Sequence, residues 1–273
     1  MVKDITLGQY YPTESVIHKL DPRVKLLGTL VYLISLFVFK GWPGFVWSTV
    51  FLGAVIYLSK IPFGYIFRGV KAVYILCIIT AIFNVFFKAG TPLVQIGMVI
   101  ITEEGVYNAI FMSLRLIYLV LGASIMTLST TPAKLTDGIE TGCAFLKKWN
   151  VPVHEVAMMM TIALRFIPIL MEEADKIKKA QMARGADFET GNLVKKAKAM
   201  LPILVPLFVS AFRRANDLSV AMEARCYHGG EGRTKLHPLV YRKSDLRSYV
   251  ILAIYFAAMI VIRVVVERGL LKM

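Results

Sequence analysis

Asp21-Pro22-Arg23-Val24-Lys25 runs without interruption into Leu26-Leu27-Gly28-Thr29-Leu30-Val31-Tyr32-Leu33-Ile34-Ser35-Leu36-Phe37-Val38-Phe39. The aspartate is a good N-cap, and proline suits the first helical position, where its missing N–H has no partner to lose. From Val24 to Phe39 the chain is apolar enough to be read as a membrane span, with Arg23 and Lys25 as a cytoplasmic anchor at its start. The whole chain agrees with this segment. Its 273 residues are 57% hydrophobic, and the mean hydropathy is +0.63, values that belong to a polytopic membrane protein. The expected fold is therefore all-α, a polytopic membrane helical bundle, because a helix satisfies its own backbone polar groups inside a bilayer.

Working outward, Lys40-Gly41-Trp42-Pro43-Gly44 turns the chain and supplies an interfacial tryptophan. A second span follows at Phe45 to Leu58. Lys60, Arg68 and Lys71 mark the return to the cytoplasm, and a third span runs from Val70 to Phe87. Thr91 to Gly105 is too broken by Pro92, Gly97, Glu103 and Glu104 to cross, and reads as an external loop. The fourth span is Ala109 to Leu128. It contains Arg115, placed to snorkel to the nearby headgroups, and Gly122-Ala123-Ser124, a small surface of the kind membrane helices pack through. A fifth span, Tyr249 to Val266, follows Arg242, Lys243 and Arg247, leaving the tail from Arg268 to Met273 outside, with Arg263 snorkelling. The implied organisation is a four-span region at 1–129, a coupling region at 130–246, and a last span with its tail at 247–273.

The middle region differs in character. It holds 18 of the 32 Lys and Arg residues, which by the positive-inside rule places it, with the N-terminus, in the cytoplasm. Thr131-Pro132 opens an amphipathic helix that reaches Lys147 and Lys148. The apolar patches Val156–Leu170 and Leu201–Phe212 contain Arg165 and Pro168, and Pro202 and Pro206, and read as interfacial rather than crossing. If both crossed, the spans would number seven, with the two arginine motifs described next separated by a pair of crossings and still on one side.

Those motifs are Ala180-Gln181-Met182-Ala183-Arg184-Gly185 and its near copy Ala221-Met222-Glu223-Ala224-Arg225-Cys226. Reading backwards, Leu170, Ala174, Ile177, Ala180 and Arg184 share one narrow helix face, as do Ala211, Ala215, Leu218, Ala221 and Arg225. Each stripe ends in an arginine flanked by small residues: Ala183 and Gly185, or Ala224 and Cys226. A facing surface can approach such an arginine closely, and its planar fork can engage a carboxylate bidentately. Two plugs imply two acidic sockets. The periodicity is equally served by ordinary amphipathic helices whose C-terminal arginine favours the helix dipole.

A net charge of +14 would suggest nucleic acid in a soluble protein; here a cytoplasmic membrane face accounts for it. Cys77, Cys143 and Cys226 have no paired spacing, the four histidines are scattered, and neither a disulfide framework nor a metal site is expected. No cleavable signal peptide is expected, since about two dozen polar and basic residues precede the first apolar run. There is no G-x-x-x-x-G-K-[S/T] loop, so this chain is not expected to bind or hydrolyse ATP. The spans lack the acidic residues and breaks that secondary transporters place at mid-membrane, which disfavours a stand-alone permease. A membrane-embedded enzyme acting on a lipid or isoprenoid needs metal-binding acidic pairs; the adjacent pair of the basic region, Glu172-Glu173, reads as ion-paired with Lys176 along the helix.

Taken together, Ser15-Val16-Ile17-His18-Lys19-Leu20-Asp21-Pro22-Arg23-Val24-Lys25, Thr130-Thr131-Pro132, Leu164-Arg165-Phe166-Ile167-Pro168, Ala183-Arg184-Gly185 and Ala224-Arg225-Cys226 resemble the transmembrane T component of energy-coupling factor (ECF) transporters, a class of ABC importer. The resemblance covers nearly the whole chain. It departs at Cys226, where glycine is usual, and a left-handed cap is less expected there. The resemblance implies a non-catalytic scaffold in a prokaryotic cell membrane. Two cytoplasmic ATPase subunits would each accept one motif, through Ala183, Arg184 and Gly185 or through Ala224, Arg225 and Cys226. A small membrane-embedded S component would carry a vitamin or metal ion. ATP would be bound by the partners, with no cofactor on this chain.

Overall fold

The computed structural model describes residues 10–39, 41–88, 90–96, 99–188, 192–230 and 238–268. The turn residues Lys40 and Gly97, and residues 269–273 of the tail, lie outside them. The described residues are helical apart from one short hairpin, and the chain divides into two compact units, Gly8–Gly138 with Leu239–Met273 and, separately, Ile139–Pro238.

The first unit is the bundle: α1 (Pro22–Val38), α2 (Trp42–Ser59), α3 (Phe63–Phe87), α4 (Glu103–Ser129), the start of α5 (Pro132–Gly142) and, last in the chain, α8 (Lys243–Glu267). Asp21 caps α1 as the sequence predicts, its carboxylate accepting from the Arg23 N–H at 2.9 Å. The core joins Tyr32, Leu36 and Phe39 of the first span to Phe45 and Leu52, Phe111, Leu121 and Ile125, and Tyr255 and Met259. A polar knot sits inside it. The Tyr255 hydroxyl meets Ser35 Oγ at 2.8 Å and Ser48 Oγ at 3.2 Å, and its ring stacks on Phe51 with centroids 4.0 Å apart. Buried hydroxyls that bond one another avoid the cost of an unsatisfied polar group in hydrocarbon. The small surface of α4 is used as expected: a methyl group at Gly122 would lie 2.6 Å from the Tyr32 ring.

Several expectations shift. Among the described residues four helices are long and apolar enough to cross a membrane: α2, α4, α8, and, in the other unit, α6 (Val153–Ala183). A fifth, α3, qualifies if its two halves, bent by 50° between Lys71 and Val73, form one span. It begins at Phe63 rather than Val70, so Arg68 also lies in the helix. α1, with 17 residues, is at the short limit for a span. Thr91–Gly105 is not loop throughout. β1 (Pro92–Ile96) and β2 (Val99–Thr102) pair antiparallel, and Thr102 then caps α4 by accepting from the Gly105 N–H at 3.1 Å. Two strands alone are marginal; the Glu104 carboxylate pins this pair by accepting from the Thr91 N–H at 2.8 Å.

α4 starts earlier than expected, so Arg115 lies near the middle of the helix rather than near its outer end, and its guanidinium is 5.5 Å from the centre of the Phe37 ring. Lys25 is no exposed anchor either. It is 8% exposed, and its ammonium donates to the backbone carbonyls of Ser129 at 2.9 Å and His18 at 3.2 Å.

His18 helps to fold the N-terminal segment back. Its Nε2 faces the Tyr11 carbonyl at 3.1 Å and so carries the proton, leaving Nδ1 to accept from the Ser15 hydroxyl at 2.7 Å. Burial, and after it the nearby Lys25 charge, holds the His18 pKa below its ordinary 6.5. A histidine depressed on folding contributes stability that is complete above the unfolded value, and that is lost as pH falls through the folded one. The unfolding midpoint in detergent should therefore drop as pH is lowered from about 7 to about 5, with a shallower drop for His18→Phe. Equal slopes for the two proteins would contradict this.

The second unit holds the end of α5, a 3-10 turn (Ala144–Trp149), α6 and α7 (Leu193–Ala224). The proline-containing patches do not stop these helices; α6 runs 31 residues through Arg165 and Pro168, and α7 runs 32 through Pro202 and Pro206. Pro206 has no N–H, so it frees the carbonyl of Pro202 one turn earlier. That carbonyl accepts from Gln181 Nε2 of α6 at 3.4 Å.

Candidate functional site

Each arginine motif ends its helix in the same way. Arg184 is the residue that closes α6, at φ −88° and ψ 8°, and Arg225 closes α7 at φ −94° and ψ 15°. Beyond Arg184, the Gly185 N–H donates to the Met182 carbonyl at 3.0 Å and the Ala186 N–H to the Gln181 carbonyl at 3.0 Å. Beyond Arg225, the Cys226 N–H donates to the Glu223 carbonyl at 2.9 Å and the Tyr227 N–H to the Met222 carbonyl at 3.0 Å. Both are Schellman caps, which tie off the last orphan carbonyls of a helix. The guanidinium therefore projects from a locked backbone.

A Schellman cap needs a left-handed residue just past its end, and Gly185 has φ +88°. Cys226 takes the same role at φ +55°, contrary to the expectation that cysteine would make such a cap less favourable. The steric cost of that conformation, about 1–2 kcal/mol for an L-residue, is offset by the two carbonyls it lets the backbone satisfy. Cys226→Gly should thus raise unfolding stability by about 1 kcal/mol, and Gly185→Ala should lower it by a similar amount, since a methyl group there meets no neighbour and only the backbone objects. Denaturation midpoints of the two variants test this; shifts of the same sign would contradict it.

Ala183, Arg184 and Gly185 are all exposed, as are Ala224, Arg225 and Cys226. Among the described residues neither arginine pairs with a carboxylate of its own chain. Each triplet is thus assembled and open. The two triplets are not brought together.

α6 and α7 pack antiparallel. Glu173 of α6 meets Arg214 of α7 at 3.7 Å, and Gln181, eight residues on, meets Pro202, twelve residues back. Glu173 therefore reaches across to the neighbouring helix, where Lys176 of its own helix was the expected partner. Arg225 lies 23 residues beyond the level of Gln181, and Arg184 three residues beyond it the other way, so the two arginines stand at opposite ends of the pair, on the order of 40 Å apart at about 1.5 Å per helical residue. This corrects the seven-span alternative. Only α7 separates Arg184 from Arg225, and a crossing α7 would put them on opposite sides of the membrane.

Two residues hold elements in place through distant partners that no local pattern reveals. Gln181 sits within the first motif, but its partner Pro202 is on another helix. Asp245, 1% exposed near the start of α8, accepts from the Asp21 N–H at 3.0 Å and from the Arg242 N–H at 2.7 Å, joining the first turn of α8 to the first turn of α1. Arg23 reinforces that joint. It grips Asp21 through two nitrogens at 3.1 and 3.0 Å, donates to the Leu239 carbonyl, and lies 3.9 Å from the centre of the Tyr241 ring. Among the described residues no cluster of His, Cys, Asp and Glu suits a metal ion.

Comparison with known proteins gives a consistent result along the length of the chain. The CbiQ family model, described as cobalt transport protein, matches residues 13–236. The chain is 53% identical over 247 residues to the energy-coupling factor transporter transmembrane protein EcfT of Clostridium kluyveri, covering 90% of this chain and 92% of that one. It is 51% identical over 259 residues to the protein of the same name from Acidaminococcus fermentans, covering 93% and 96%. With that of Bacillus subtilis it shares 43% identity over 264 residues, covering 96% and 100%.

Proposed function

This chain belongs to the family of energy-coupling factor transporter transmembrane proteins, and on that premise we propose that it couples two cytoplasmic ATPase subunits to a small, membrane-embedded substrate-binding S component that imports a vitamin or metal ion. One ATPase subunit takes the Arg184 cap and the other the Arg225 cap, each into a groove with acidic residues. The observation that carries this reading is the pair of matching, exposed Schellman caps at opposite ends of one helix pair. A single socket could not reach both.

The antiparallel packing also supports an orientation. Both arginines can face the cytoplasm only if α6 and α7 lie along the membrane rather than across it. In this reading α6 is an interfacial helix despite a length and composition sufficient to cross, and the exposed Arg165 is then no buried charge. The exposed apolar face of α7, including Leu204, Val205, Phe208 and Phe212, is available to the bilayer or to the S component.

The chain's contribution to transport is mechanical. ATP binding closes the ATPase pair and moves the two caps relative to one another. Because Glu173–Arg214 and Gln181–Pro202 link the helices, displacement of one end changes the surface offered to the S component. Such coupling requires contacts that differ in free energy between the two states of the ATPase pair. The chemistry of ATP hydrolysis belongs to the partners, and this chain is non-catalytic. Purification from native membranes in mild detergent, followed by mass spectrometry of what accompanies the chain, tests the proposal: two ATPase chains and one small membrane protein are expected, and a chain that arrives alone and transports by itself would overturn it.

A further inference from the structure

Within the bundle unit, a cavity of about 220 Å³ lies between α1, α2, α4, α8 and the segment before α1. Its walls are mostly apolar, with Val24, Val55, Ile125 and Ile251 among them, and Lys25 is the one charged residue lining it. The ammonium is buried, and two carbonyls take two of its three N–H groups. Among the described residues no carboxylate comes within ion-pair distance of it; Asp21 and Asp245 act on it only from farther off. One of those carbonyls, that of Ser129, ends α4, whose dipole supplies only a partial negative charge. A buried cation normally has a full anionic partner.

The missing partner must bring an anion to Lys25 and an apolar body to the rest of the cavity. Water alone cannot fill walls this apolar, since each molecule needs two to four polar partners. We infer that the cavity is a lipid site, taking one acyl chain of an anionic phospholipid with the headgroup phosphate on Lys25. Basic pockets between membrane helices bind lipid headgroups by the same electrostatics. The source is the surrounding bilayer, which meets the bundle on every membrane-facing side. This site lies in a different unit from the arginine caps and does not depend on the ATPase reading.

Gly28 makes the cavity testable without removing the charge. It lines the same space one turn beyond Lys25, and a methyl group built there meets nothing within 4 Å. Gly28→Leu should therefore fill the cavity while favouring the helix.

The full-length chain in mild detergent is titrated with dioleoyl phosphatidylglycerol, dioleoyl phosphatidylcholine or inorganic phosphate, and retained adducts are counted by native mass spectrometry. The wild type should keep one phosphatidylglycerol in roughly tenfold preference over phosphatidylcholine, and both Lys25→Met and Gly28→Leu should reduce that adduct by roughly tenfold. Thermal unfolding of each variant without lipid checks that the bundle is intact; if Lys25→Met does not fold, Gly28→Leu decides. Equal retention of the two lipids, an unchanged adduct in Gly28→Leu, or complete displacement by inorganic phosphate would overturn the inference.

Discussion

Charge reversal at both caps, Arg184→Glu with Arg225→Glu, is expected to yield a folded membrane protein that no longer retains ATPase subunits. Losing one member of a desolvated interfacial charge pair costs about 2–5 kcal/mol, equivalent to roughly 30- to 4,000-fold in affinity at each end. Reversal adds repulsion from the acidic groove proposed for each ATPase subunit. The caps themselves should survive, because their hydrogen bonds are all backbone to backbone and the guanidinium takes part in none of them. Either single reversal should do less than half the damage of the pair. While one ATPase subunit stays docked, the second is held close by its own partner, and that effective concentration conceals part of the loss. Arg→Lys at either site should weaken retention less than reversal, since the charge remains while the bidentate geometry is lost. Co-purification with the ATPase subunits reads all of these directly, and wild-type retention by the double reversal would sink the coupling proposal.

Asp245→Ala should produce the largest loss of fold stability. Its carboxylate is almost fully enclosed and satisfies two backbone N–H groups, those of Asp21 and Arg242. Alanine would leave the buried Asp21 N–H without an acceptor, at about 1–3 kcal/mol, and would uncap the first turn of α8 at Arg242, at about 1 kcal/mol more, a large share of the roughly 5–15 kcal/mol by which a folded domain is stable. The damage should spread, since Asp21 also caps α1 and orients Arg23. Asp245→Asn keeps one acceptor oxygen and turns an amide donor toward the other N–H, so it should recover only part of the loss. Thermal unfolding in mild detergent measures the series. An Asp245→Ala melting curve that overlays the wild type would show that the joint between α1 and α8 is not a stabilising element.

Much of the fold was legible from local pattern alone. Asp21-Pro22 starts α1, and the apolar runs lie inside the helices the structure shows, although α2 opens at Trp42, within the stretch read as a turn, because caps and apolar periodicity act within a few residues. The same holds for the arginine motifs: the helices of both stop at the predicted arginine. What local pattern missed were the positions where a distant group intervenes. Cysteine's preference argued against a left-handed cap at 226, but the carbonyls of Met222 and Glu223 outweighed it. Pro168, Pro202 and Pro206 argued against a crossing, but nothing local shows that a side chain from another helix meets the carbonyl freed at Pro202. Lys25 read as an anchor at the membrane surface, whereas the end of α4 draws it inward.

The sequence by itself determined that this protein is a helical membrane bundle with two small-residue stripes, each ending in an arginine, because hydropathy, capping and helical spacing are properties of neighbouring residues. Only the tertiary structure decided that α6 and α7 run in opposite directions, that the two arginines consequently stand at opposite ends of the pair, and that a lysine faces an apolar cavity in the bundle. Those outcomes depend on which side chains meet across gaps of tens to hundreds of residues. Packing and charge burial choose those partners, and no window of sequence contains both members.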